Sequence, residues 1–149
     1  MRRLFRSDEG GQSLIEFALV LPLLLLIITG LFDVARATWQ ENTLAYAARE
    51  GTRYAIVHGS ASVDGTVVYP SSYQPVVDVV RDAAVGVPSV SVSFKQVDGT
   101  TTCVSPPTLA NPCFATVRVT WTWHTITAWP LIPNTFNFDR STTMRMMSY

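Results

Sequence analysis

From Leu14 to Phe32 the chain runs nineteen residues with a single charge, Glu16. At about 1.5 Å of rise per residue, a helix of that length reaches roughly 28 Å, close to the thickness of a bilayer core. The pattern predicts one membrane crossing. Pro22 lies inside the span and removes one backbone donor, which membrane helices tolerate better than soluble ones do. It reads either as a simple kink or as a point of local melting. Beyond the span, Asp33 to about Val57 contains no proline, and Gly51 is its one glycine, so the helix is expected to continue outside. Gly30, Val34, Ala37, Glu41, Leu44, Ala48, Gly51 and Ala55 alternate spacings of four and three and mark one narrow stripe of mostly small residues. A second row, Ala47, Gly51 and Ala55, has the small-xxx-small form that lets another helix or a sheet approach closely. That face suits a neighbouring molecule or the protein's own head, and the second use is at least as well founded, because an isolated head must also cover this helix.

The remainder reads as a small head. Val76 to Ala84 places apolar residues at 76, 77, 79, 80, 83 and 84, a short helix ending before Gly86 and Pro88. Ser89 to Val97 alternates, with Val90, Val92 and Phe94 toward the core. Ala115 to Thr127 alternates again, with Val117, Val119, Trp121 and Trp123 on one side and Arg118, Thr120, Thr122 and His124 on the other. Asp98-Gly99 and the cysteine-bearing loop join these strands as an elaborated hairpin. A last strand is expected near Ser141 to Met147, and a short one at Thr66 to Tyr69 within the Ser-, Gly- and Pro-rich stretch Gly59 to Pro75. The expected class is α+β: a long N-terminal transmembrane helix continuing into an exterior helix, then a small antiparallel-sheet head. The chain divides into a leader over 1–11, a transmembrane helix over 12–35, an exterior helix over 36–58 and the head over 59–149.

Charge sets the expected orientation. Arg2, Arg3 and Arg6 precede the span, with Asp8 and Glu9 partly offsetting them, and the positive-inside rule then keeps the N-terminus cytoplasmic. Trp39 is suited to the outer interface. Cys103 and Cys113 are the only cysteines, too few and too badly spaced for a zinc site. A disulfide in an oxidising compartment is their simplest use, with two buried thiols as the alternative. A formal net charge of zero and 15% charged residues argue against a nucleic-acid or anionic-surface binder. Nothing in the composition calls for a metal or a cofactor.

The chemistry concentrates at the mouth of the span. Gly10-Gly11-Gln12-Ser13-Leu14-Ile15-Glu16 runs straight into the apolar stretch. A carboxylate carried deep into the bilayer costs a few kcal/mol, so Glu16 must stay near the interface or find a cationic partner. Cleavage between Gly11 and Gln12 would create an α-amino group four residues before Glu16. In an assembly that amine and a neighbour's carboxylate neutralise each other in low dielectric. An interface carboxylate with no further role is the bland alternative. Glycine followed five residues later by glutamate is a weak pattern alone; it becomes specific with a basic leader before it and an apolar span behind it.

Gly11-Gln12-Ser13-Leu14-Ile15-Glu16-Phe17 through Leu26, with Gly30, Asp33, Arg36 and Ala47-Ala48-Arg49-Glu50-Gly51-Thr52-Arg53, resembles the TadE-like family of pseudopilins from tight-adherence pilus systems. The resemblance covers about the first third of the chain. It implies a pilin-like architecture and a minor pilin needed for assembly of a thin adhesive pilus, cut by a prepilin peptidase after Gly11, with Gln12 as the mature N-terminus and Glu16 as the motif carboxylate. It further implies membrane lipid, the peptidase, other pilins or pseudopilins and the assembly platform as partners, in a bacterial cytoplasmic membrane with the head outside. Phe17, where major pilins of these systems often carry tyrosine, and the large head set this chain with the minor components.

Two readings of other classes stand beside it. Ala35-Arg36-Ala37 offers a signal-peptidase site, and a secreted binding domain starting at Thr38 would follow. An extracytoplasmic enzyme has thin candidates. His58 and His124 are far apart in sequence, Asp78 and Asp82 read as a wet helix face around Arg81, and no serine sits in a nucleophile-elbow context. Trp121, Trp123 and Trp129 offer a sugar-stacking platform, but the first two share a strand face with valines and read as core. No enzymatic activity is expected.

Overall fold

The computed structural model of the chain describes residues 9–58, 72–86, 88–103, 110–126 and 134–146. The expected leader up to residue 8, the expected strand at Thr66 to Tyr69, Trp129 and Met147 lie outside them.

A single helix, α1, runs Glu9–Val57 and passes through Pro22 without interruption. Its 49 residues make a rod of about 74 Å at 1.5 Å per residue. Pro22 cannot donate to the Ala18 carbonyl, but its neighbours keep the ladder on both sides. A second helix, α2, spans Gln74–Ala83 with Pro75 in its first turn, where a missing N–H costs nothing. Val76, Val77 and Val80 form its buried face, and Arg81 sits in the last turn, complementing the helix dipole.

Three strands follow, β1 (Ser89–Gln96), β2 (Cys113–His124) and β3 (Thr135–Arg145). They form one antiparallel sheet in the order β1-β2-β3. Pairing runs from Ser89↔Thr120 to Gln96↔Cys113 on one side of β2, and from Phe114↔Arg145 to His124↔Thr135 on the other. The architecture is α+β with a long apolar N-terminal helix and a pilin-like head. β2 begins two residues earlier than its alternation suggests and stops at His124. β3 begins at Thr135, six residues before the expected strand, because Phe136 and Phe138 continue the alternation and pair with Trp123 and Trp121.

The core lies between the outer half of α1, α2 and one face of the sheet. Leu44, Ala47, Ala48 and Ala55 from α1 meet Val76 and Val80 from α2, and Phe94, Ala115, Val117, Val119 and Met146 from the sheet side. Val90 and Val92 pack at its edge. Burying each Val or Leu side chain contributes about 1.5–3 kcal/mol. Cys103 and Cys113 are joined as a disulfide with their Cα atoms 6.2 Å apart, closing the β1–β2 connection. In that connection Gly99 adopts φ +70° and the Asp98 carboxylate accepts hydrogen bonds from the Thr100 and Thr101 amides at 3.1 and 3.0 Å. This is the turn that Asp-Gly signals, since aspartate satisfies the amides two and three positions on and glycine supplies the positive φ.

Candidate functional site

The two halves of the long helix differ in environment. From Gly11 to Thr29 every residue is exposed, including Leu14, Ile15, Phe17, Leu19 and Leu23. The helix is long and apolar enough to cross a membrane, and none of its most apolar stretch is buried in the fold. A row of bare leucines is unstable in water and suited to lipid. From Asp33 onward the same helix carries the head.

Toward the N-terminal side of α1, a Cβ added at Gly11 would meet no atom within 4 Å. Gln12 donates from Nε2 to Glu16 Oε1 at 3.3 Å, one turn apart on an exposed face. Gly11, Gln12 and Glu16, the residues expected to form a processing motif, lie within two turns of one another on the exposed part of the helix.

The small-residue row has a different setting. Ala47 and Ala55 are fully buried, and a Cβ on Gly51 would overlap the Val80 Cγ2 methyl and stand 3.4 Å from Val117 Cγ1. Thr52, also fully buried, donates from Oγ1 to the Ala48 carbonyl at 2.6 Å and faces the Thr142 carbonyl at 3.3 Å. The row is occupied by the protein's own head, with α2 and β2 seated on the glycine.

Between these regions lies a set of polar contacts, of whose helix residues periodicity singled out Glu41 alone. Asp33, one residue beyond the apolar span, is 4% exposed, and its Oδ1 accepts a hydrogen bond from the Ile126 amide at 3.1 Å. Arg36 reaches the His124 carbonyl at 3.4 Å and places its guanidinium 5.7 Å from the centroid of the Trp123 ring. Glu41 forms an ion pair with Arg140 of β3. Three polar residues within about two turns therefore fasten the end of β2 and the middle of β3 to the helix where it leaves the apolar span. Their signal in the sequence was faint: Asp33 and Leu44 are eleven residues apart, about three helical turns, so Asp33 sits on the packing face rather than in water.

An apolar groove of about 550 Å³ opens at this place, between Ile27–Glu41 of α1 and the end of the sheet at Trp123, Thr125, Phe136 and Phe138. Trp123 packs 5.8 Å from Phe136 and 6.5 Å from Phe138, centroid to centroid.

The residues considered for catalysis are placed apart. His58 stacks on Tyr54 at 3.8 Å with Nδ1 2.9 Å from the Tyr54 carbonyl, at the end of α1. His124 is exposed at the end of β2, and Asp78 and Asp82 are exposed on α2, with Gln74 donating to Asp78 at 3.2 Å. On the outer sheet face Arg118 forks onto Asp139, holding that carboxyl below its ordinary range chiefly through the hydrogen bonds. Such an exposed pair is a surface feature.

Residues 11–53 match the model of the TadE-like protein family. The match begins at the glycine before the expected cut and ends within the segment seated in the head. It thus joins the bare span and the fastening residues Asp33, Arg36 and Glu41 in one unit. No curated protein and no solved structure matches the chain.

Proposed function

We propose that this chain is a membrane-anchored minor pilin, a pseudopilin of a tight-adherence type IV pilus, cut by a prepilin peptidase between Gly11 and Gln12 and required for assembly of the fibre. The observation that carries the reading is the division of one continuous helix. The half before Asp33 is bare and apolar behind a Gly11–Glu16 processing motif, and the half after it is clad by the protein's own head. A pilin needs both: a helix free to move from lipid into a helical array, and a head that stays folded while it does so. After the cut, the α-amino group of Gln12 would lie one turn from Glu16. It would neutralise a neighbour's Glu16, making the array more favourable than isolation in lipid.

In this reading the N-terminus is cytoplasmic and the head is outside, where the disulfide persists. Other pilins, the assembly platform and the peptidase are the partners, and the role is structural rather than catalytic. A secreted domain starting at Thr38 is the weaker alternative, because that cut would remove Asp33 and Arg36, which bind the end of β2.

The test is the mass and N-terminal sequence of the protein recovered from membranes with and without a co-expressed prepilin peptidase. A start at Gln12 that depends on the peptidase is expected. A start at Thr38, or a chain that stays full length beside a working peptidase, overturns the reading.

A further inference from the structure

The groove beneath the head lies at a definite depth. Taking Phe32 as the end of the apolar span, Ile27 sits about 7 Å below that boundary and Glu41 about 13 Å above it along the helix. A bilayer's hydrocarbon core is flanked on each side by a polar layer of roughly 5–8 Å. The lower wall of the groove therefore faces hydrocarbon, the stretch from Asp33 to Ala37 stands in the headgroup layer, and Glu41 lies beyond it. The α1 wall is continuous with the bare helix that lipid surrounds, so acyl chains reach the groove without any partner being recruited.

The chemistry changes with height in the same sense. Ile27, Leu31 and Val34 line the lower part. Higher up, Trp123 Nε1 and Thr125 Oγ1 are buried and make no hydrogen bond, although both residues line the groove. An indole N–H can only donate, so what is missing is an acceptor. The two carboxylates on the wall are already engaged, Asp33 by the Ile126 amide and Glu41 by Arg140. The Arg36 guanidinium stands over the Trp123 ring and adds a positive charge at the same level. An apolar trough that ends in two donors beside a cation matches an acyl chain ending in ester and phosphate oxygens. Exposed Ile126, held beside Asp33, lies near this level, as expected of a surface that rests in the interface.

We infer that the groove between α1 and the β2–β3 end of the sheet seats one acyl chain of a phospholipid from the leaflet on the head's side. The lipid's ester or phosphate oxygens accept hydrogen bonds from Trp123 Nε1 and Thr125 Oγ1, and its phosphate faces Arg36. The inference rests on the single-span anchoring proposed above. The bound lipid would hold the head against the membrane surface until the protein is withdrawn.

The test uses the full chain reconstituted in phosphatidylcholine vesicles whose acyl chains carry bromine near the ester end, with tryptophan emission as the readout. Flotation of the protein with the vesicles is scored first. The expected result is a quenched component of the emission that is missing from Trp123→Phe and is restored to full intensity when Ala37→Leu or Gly30→Leu fills the groove. Failure to float with the vesicles would overturn both the anchoring and this inference. Flotation without a quenched Trp123 component would overturn only the inference, leaving the groove to a protein neighbour. Quenching that persists in both groove-filling variants would also overturn it, since the lipid would then reach the indole by another route.

Discussion

The Asp33 carboxylate accepts a hydrogen bond from the amide of Ile126, ninety-three positions further along the chain, at 3.1 Å. Asp33 is the first polar residue beyond the apolar span, and Ile126 lies just past the end of β2. The contact therefore sets where along the helix the head begins. Asp33→Ala leaves a half-shielded amide without its acceptor and should destabilise the head by about 1–3 kcal/mol. Asp33→Asn keeps an oxygen in place and should cost less. Denaturant unfolding of the detergent-solubilised protein measures the order; equal stability of the two variants and the parent would remove the contact from any structural role.

Gly51 touches α2 and β2 at once, and the Val80 side chain it meets is branched at Cβ and stiff. Gly51→Ala should therefore cost about 1–3 kcal/mol through overpacking, outweighing the gain in helix propensity. Adding Val80→Ala should recover part of the loss, because it removes the methyl in the way. A double variant no more stable than Gly51→Ala would show that the strain lies elsewhere.

The Cys103–Cys113 bond closes the connection between β1 and β2. In the chain-entropy picture a loop of this size contributes about 3 kcal/mol. Replacing both cysteines by serine should lower the unfolding midpoint of the head by a corresponding amount. Processing at the far end of α1 should be unaffected, as mass spectrometry of the membrane fraction will report.

Gly11→Val and Glu16→Ala separate cutting from assembly. A Cβ at Gly11 meets no atom within 4 Å, so on the proposed reading Gly11→Val should fold normally and lose cleavage through crowding in the peptidase. Glu16→Ala should be cut normally and fail to assemble. Normal pili from both variants would sink the processing motif.

Acid should weaken the head through two surface carboxyls. Hydrogen bonds from Thr101, with Thr100 adding to them, hold Asp98 down at about 2, and Arg118 holds Asp139 below its ordinary range. In both cases the folded state binds protons less readily than the unfolded chain. Their contribution is thus complete above the ordinary carboxylate range near pH 4 and fades as the pH falls through the folded values. The melting temperature should be level down to about pH 5 and decline below it. Asp98→Asn should show a shallower acid decline than the parent, and an unchanged decline would assign it to other groups.

The elements most legible in the sequence were those set by a single strong periodicity. Leu14 to Phe32 declared the span by apolar length, and β1 and β2 declared themselves by alternation. The start of β3 was harder, because Asn137, Asp139 and Arg140 dilute an alternation carried by Phe136 and Phe138, and only pairing with Trp121 and Trp123 makes it a strand. The fastening residues were hardest of all. The stripe included Glu41, and the family resemblance included Asp33 and Arg36, but neither named their partners, since Ile126, His124 and Arg140 come from distant parts of the chain. Helical periodicity marked the Ala47, Gly51 and Ala55 row, but whether a neighbour or the head fills it is decided by tertiary packing.

The unbroken passage of α1 from the apolar span into the head has a consequence for orientation. Glu16 and Asp33 are seventeen residues apart on one rod, and at about 100° per residue their side chains leave it roughly a quarter-turn apart. The head is fastened at Asp33, so the compass bearing of the head is tied to that of Glu16. Any array that turns Glu16 toward a neighbour would then display every head at the same bearing, and a twist applied at the Glu16 end would reappear at the head.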